Sequence, residues 1–317
     1  TIPIGFLMGF YLEKFRPGRI GEVSAVGVGL LFAAVILGRV VAQSSVAGWF
    51  EFERDTLVWL LAGYGFLASV LPAWMLLVPR GYLSTFMKLG VVVLLGVGVI
   101  LMAPTIEMPR VTAFAQGGGP IIPGTLFPFL FITIACGAIS GFHSLVSSGT
   151  TPKMIERESH AVVGYGAMLL ESFVGVMALI AASVLVPGDY LAINTMLSAD
   201  ALAVMGFPVH RIQELSRLVE VNVEGRPGGA VSLAVGMASI FAALPGMAGL
   251  MAYWYQFALL FEALFILTTI DTGTRVARYL LQEMGGRVYA PLRRFNWWPG
   301  VIASSGCVVG AWGYLIS

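Results

Sequence analysis

The sequence predicts an all-α integral membrane protein, a polytopic bundle of transmembrane helices. Three observations carry that expectation. Of its 317 residues, 58% are hydrophobic and only 11% are charged, against about 25% charged in soluble domains. Apolar runs of membrane-crossing length recur along the whole chain. Those runs are continuous and do not alternate, so helices are expected and not barrel strands. A net charge of +1 gives no basis for nucleic acid as a partner. Cys136 and Cys307 both fall in apolar runs, which argues against a disulfide framework or a thiolate metal site.

The elements follow in order. Residues 1–12 are apolar up to Glu13, short of the roughly 20 that a span needs. The chain has no initiator Met or basic leader, and its last run, 299–316, reaches the end. It is therefore expected to be an internal piece of a longer protein. Runs at 20–42, 56–79, 85–103, 125–146 and 161–186 make 1–186 a set of about six transmembrane helices, the first truncated. Loop charge sets orientation. Lys14, Arg16 and Arg19 place 13–19 in the cytoplasm, and the acidic stretch 42–55, with Arg54, lies outside. Arg80 and Lys88 flank a cytoplasmic turn, the Gly/Pro-rich stretch 104–124 is external, and 151–160 is cytoplasmic. The segment 187–228 is then an external loop or cap with an amphipathic helix. The part 229–317 returns to transmembrane helices, with a basic loop at 271–298 carrying Arg275, Arg278, Arg287, Arg293 and Arg294. Two full crossings at 229–249 and 251–270 would leave that loop outside. A re-entrant 229–249, weakened by Gly236, Pro245, Gly246 and Gly249, would restore the rule.

Ionisable groups inside spans are costly, roughly 2.5–3.5 kcal/mol each, and usually face a bundle interior or a water-filled path. His143 stands in CGAISGFHSLVSSGTTPK (136–153). On a helix, Cys136, Ser140, His143, Ser144 and Ser147 would share one face. Gly141, Gly149 and Pro152 break that helix and free backbone groups that something must satisfy, as in transporters with discontinuous helices. Ser144, Ser147, Ser148, Thr150, Thr151 and Gly141 are accordingly candidates for a substrate or ion path. Hydroxyls bonded back to their own helix are the plainer alternative. Glu171 shares a face with Gly164, Ala167, Gly175 and Ala178, a small-residue stripe that should pack on another helix. Glu262 lies in the last long run, near Tyr255, Ala258 and Thr269. For His143, Glu171 and Glu262 two readings stay open: proton coupling, or a buried structural group. Asp271 and Arg275 read as an interfacial ion pair at i, i+4. Arg80 reads as a snorkelling arginine, with attraction of an anionic carboxylate as the alternative, and Arg39 as the one cation obviously inside a span.

No P-loop, HExxH, GxSxG or dinucleotide-binding glycine pattern is present. Neighbouring His143 and Ser144 cannot act as base and nucleophile on one helix. No enzyme, cofactor or metal centre is expected.

GEVSAVG (21–27), LFPFLFITIACGAISGFHSLVSSGTTPKM (126–154), GYGAMLLESFVGVMAL (164–179) and YQFALLFEALFILTTIDTGTRVAR (255–278) resemble the carbon starvation protein A (CstA) family of bacterial inner-membrane transporters. The resemblance runs through essentially the whole chain. It implies the central part of a multi-pass importer used when carbon is scarce, with peptides or pyruvate as the small-molecule substrate. It also implies a proton or sodium ion as the coupling ion, and a lipid bilayer as surroundings. Further, it implies an inverted-repeat (LeuT/APC-like) transporter with broken helices, 64–80 being one of them, around Gly63, Gly65 and Pro72. A nutrient sensor and a channel are the remaining alternatives.

Overall fold

The computed structural model describes residues 2–15, 18–72, 74–129 and 162–316. The stretch 136–153 lies outside the described residues, and with it His143, Ser144, Ser147, Ser148, Thr150, Thr151 and Gly141. Every regular element among the described residues is helical. Labelled in chain order, these are α1 (Ile2–Lys14), α2 (Ile20–Ala42), α3 (Arg54–Val70), α4 (Leu77–Met102), α5 (Ala167–Ser183), α6 (Pro187–Asn194), α7 (Ala199–Val204), α8 (Ile212–Val219), α9 (Ala230–Ala242), α10 (Met251–Gly285) and α11 (Trp298–Ile316). Five segments are long and apolar enough to cross a membrane: Ile20–Ala42, Leu77–Met102, Gly164–Ser183, Ala248–Gly285 and Trp298–Ile316. Their outer faces are apolar, as lipid requires. On α2, for example, Val26, Leu30, Phe32, Ile36, Leu37 and Val40 are exposed.

Two expectations about helix ends are corrected. The turn expected between Arg80 and Lys88 is helix, because α4 runs unbroken from Leu77. The first bond of this helix runs from Arg80 N to Leu76 O, so Pro79 falls where a backbone N–H has no intrahelical partner and proline costs nothing. The basic loop expected over 271–298 begins only after Gly285, since α10 continues through Arg275 and Arg278. Finally, 229–249 yields a helix of 13 residues, about 20 Å long. It gives way to a turn at Pro245–Gly246, where Gly246 takes φ +78°.

The described residues divide into two compact units, one from 1–87 and 263–317, the other from 88–129 and 162–262. In the first, α1, α2 and α4 pack together through Met8, Val23 and Leu83 respectively. A Cβ added to Gly5 would lie 2.9 Å from that of Arg80, so glycine here lets α1 approach α4. α3 and α11 lie antiparallel: Arg54 reaches the carbonyl of Ile316 at 3.4 Å, and Ser69 and Ser305 share a hydroxyl hydrogen bond of 2.9 Å.

In the second unit α9 rests on α5, and a Cβ at Gly236 would fall 1.9 Å from the Ala181 carbonyl oxygen. Three short helices follow α5. Ser198 caps α7 by accepting from Ala201 N. α8 is the amphipathic helix expected in 187–228, burying Ile212, Leu215 and Val219. Buried Asp189 accepts from the backbone N–H groups of His210 and Arg211, each at 3.0 Å, and so holds the start of α8. On the exposed side Arg211 bonds Glu214 at 3.0 Å and holds its carboxyl below the usual carboxylate range.

Candidate functional site

The charges of the first unit converge where α3 ends. Arg80, one turn into α4, pairs with Asp271 of α10 at 2.6 Å, and neither side chain has any exposed surface. Tyr64 of α3 donates to the same carboxylate oxygen, Oδ2, at 3.0 Å. Arg80 also donates to Thr268 Oγ1 at 3.3 Å, and Thr268 in turn donates to Leu264 O at 2.6 Å. Three helices thus meet on one ion pair. The pair leaves capacity unused: Arg80 Nε and Nη1 and Asp271 Oδ1 are buried without a hydrogen-bond partner among the described residues.

One turn further along α10, two more arginines reach α3. Arg275 donates to the carbonyls of Ala68 and, at 3.0 Å, of Leu71. Arg278 donates to Ser69 O at 2.7 Å and lies over the Tyr279 ring at 4.6 Å. The last four carbonyls of a helix have no intrahelical partner, and water is scarce inside a membrane protein. Guanidiniums at the negative end of α3 satisfy those oxygens and favour the helix dipole. Beside them lies a cavity of about 330 Å³, walled by Arg275, Arg278, Tyr279, Phe295, Asn296 and Trp298.

Within 64–80, α3 ends at Val70 and α4 begins at Leu77, and the two do not form one straight rod. Along such a rod Tyr64 and Arg80 would stand about 24 Å apart. Instead the Arg80 guanidinium lies 6.0 Å from the Tyr64 ring centroid. The chain folds back after α3.

Several expectations change. Arg80 is not a snorkelling arginine but a fully buried one. Asp271 is not at an interface. It is fully buried and pairs with Arg80, while Arg275 is spent on backbone carbonyls. Arg39, read as the obvious cation within a span, is half-buried, whereas Arg80, Arg275 and Arg278 are the buried ones. Glu171 is exposed, and a Cβ at Gly164 or Gly175 would meet nothing within 4 Å, so the helix expected against that stripe is not among the described residues. Glu262 is half-buried on the face of α10 that carries buried Tyr255 and Ala258. A signal for the network around Asp271 was legible: Asp271, Arg275, Arg278 and Gln282 recur at i, i+4, i+7 and i+11, one stripe of a helix, and all four are buried. Among the described residues no group of three or more His, Cys, Asp or Glu could hold a metal ion.

Helices long and apolar enough to cross a membrane, two of them joined by a buried ion pair, define a polytopic helical membrane protein. The chain matches the family model of carbon starvation protein CstA over residues 1–317, and it belongs to that family. The peptide transporter CstA of Helicobacter pylori strain 26695 is 48% identical over 331 residues, covering 100% of this chain and 48% of the relative. The peptide transporter CstA of Escherichia coli K12 is 49% identical over 336 residues, covering 100% and 48%. The pyruvate/proton symporter BtsT of Escherichia coli K12 is 44% identical over 353 residues, covering 100% and 49%. The chain thus spans about half the length of these relatives. No solved structure matches it.

Proposed function

We propose that the chain forms part of a secondary active transporter of the bacterial inner membrane that imports peptides when carbon is scarce, coupled to protons. The observation that carries this reading is the buried Arg80–Asp271 pair between helices of a membrane protein. Charge buried at such cost is typically kept for a substrate or ion pathway. Relatives named as peptide transporters support the substrate class. A second reading, a pyruvate or other monocarboxylate symporter, is favoured by the 44% identity to a pyruvate/proton symporter. Family membership also supports an inverted-repeat, LeuT/APC-like architecture. In this reading His143, Ser144, Ser147, Ser148, Thr150, Thr151 and Gly141 line the path, and His143, Glu171 and Glu262 carry the coupling proton.

The test is uptake of labelled dipeptide and labelled pyruvate by cells expressing the full-length protein, with and without a protonophore. Dipeptide accumulation that collapses with the proton gradient is expected, as is loss of coupling in His143→Ala or Glu171→Gln. Pyruvate accumulation alone selects the second reading. Uptake that follows an imposed sodium gradient removes the proton, and uptake of neither solute removes transport. If both variants keep a normal proton response, the two residues have no coupling role.

A further inference from the structure

We propose that the cavity at the end of α3 binds the carboxylate of the transported solute, with Arg275 and Arg278 as its cationic wall. This rests on the transport reading and names the chemistry its substrate must carry. Both guanidiniums are more than nine-tenths buried and both line the cavity. Each is fixed by the carbonyls of α3, and each keeps an Nε–H without an acceptor among the described residues. Among the described residues of this unit the charge is unbalanced: the buried cations are Arg80, Arg275 and Arg278, and the buried carboxylate beside them, Asp271, is engaged by Arg80. A desolvated excess of positive charge is expensive without a counter-anion. A planar guanidinium matches a carboxylate better than any other cation does.

The remaining walls specify more than a bare anion. Tyr279, Phe295 and Trp298 give the cavity aromatic surface beside the arginines, and Asn296 adds an amide. A carboxylate with an apolar side chain on its neighbouring carbon, as at the C-terminus of a peptide, satisfies both parts. The volume of about 330 Å³ falls at the small end of the range for ligand sites. An anionic lipid headgroup offers similar oxyanion chemistry in its phosphate, so the test separates the two sources.

The measurement is equilibrium binding and proteoliposome uptake by the purified full-length protein. It compares an alanyl-phenylalanine dipeptide with the same dipeptide amidated at its C-terminus. The free acid is expected to bind about 10- to 100-fold more tightly than the amide, the range for one charged hydrogen-bonded contact. Arg278→Gln should erase that ratio, and Arg278→Lys should retain part of it. A ratio between two ligands does not move when a variant merely folds less well, and the ratio in the unaltered protein needs no variant at all. Accumulation without preference for the acid overturns the site and leaves transport standing. Binding with preference for the acid but no accumulation leaves the site and removes transport. If Arg278→Gln leaves dipeptide affinity unchanged but strips co-purifying phosphatidylglycerol, the occupant is a lipid phosphate and the proposal falls.

Discussion

Removing one partner of the Arg80–Asp271 pair should cost more than removing both. With its closest atoms 2.6 Å apart, the pair has charge centres about 4 Å apart, worth roughly 4 kcal/mol at an effective dielectric near 20. That attraction offsets a desolvation penalty of several kcal/mol per ion. Asp271→Leu strands the Arg80 guanidinium, and Arg80→Met strands the carboxylate. Each should lower stability by about 3–5 kcal/mol. The double variant strands no charge. It leaves the Tyr64 hydroxyl short of its acceptor, about 1–3 kcal/mol if left unsatisfied, while Thr268 keeps its bond to Leu264 O. Unfolding of the full-length protein in mixed micelles, followed through all four members of the cycle, measures the difference. A coupling energy of about 3 kcal/mol or more is expected. Single losses that add to the double loss within about 0.5 kcal/mol would mean the two residues do not act as a pair, and the account of the network would be wrong.

Two further predictions concern the second unit. Gly236→Val places branched carbon where the Ala181 carbonyl stands, 1.9 Å from the new Cβ. It should separate α9 from α5 and cost about 1–3 kcal/mol, seen as accelerated hydrogen exchange in both helices; unchanged exchange would show that the contact yields freely. Asp189→Ala leaves the backbone N–H groups of His210 and Arg211 without their acceptor, at about 1.5–3 kcal/mol. Limited proteolysis near 205–212 should then speed up, and an unchanged cleavage rate would count against this tether.

The membrane class and most helices were legible because their signal is local: a continuous apolar run needs no partner to be recognised. Helix ends were less legible. Arg80 and Lys88 looked like the flanks of a turn, and only the register of α4 shows that both lie within one helix. The charge network was hardest. Asp271 has a cation four residues away in sequence, and Arg275 is the natural partner by that rule. The partner chosen is Arg80, far off in the chain, because the chain folds back between α3 and α4 and brings α4 alongside α10. Sequence spacing ranks partners on one helix; it cannot rank them between helices whose packing is unknown. Glu171 shows the converse, since a small-residue stripe announces a neighbour without naming it.

The capping role of Arg275 and Arg278 does not compete with the binding role proposed for them. A helix that ends inside a membrane protein must find donors for its last carbonyls, and here one guanidinium spans Ala68 and Leu71 at once. Lysine carries the charge without that fork. The capping bonds also fix the guanidiniums beside the cavity before any anion arrives, so binding need not order two flexible side chains, a saving of about 0.5–1.5 kcal/mol for each. The two roles therefore separate under substitution by lysine. The charge facing the cavity survives, while the hold on α3 and the preset orientation weaken. Arg275→Lys should lower stability and shift the carboxylate-to-amide preference only in part, whereas Arg275→Gln should remove both. If lysine left the preference whole while α3 frayed, orientation by the helix end would play no part in recognition.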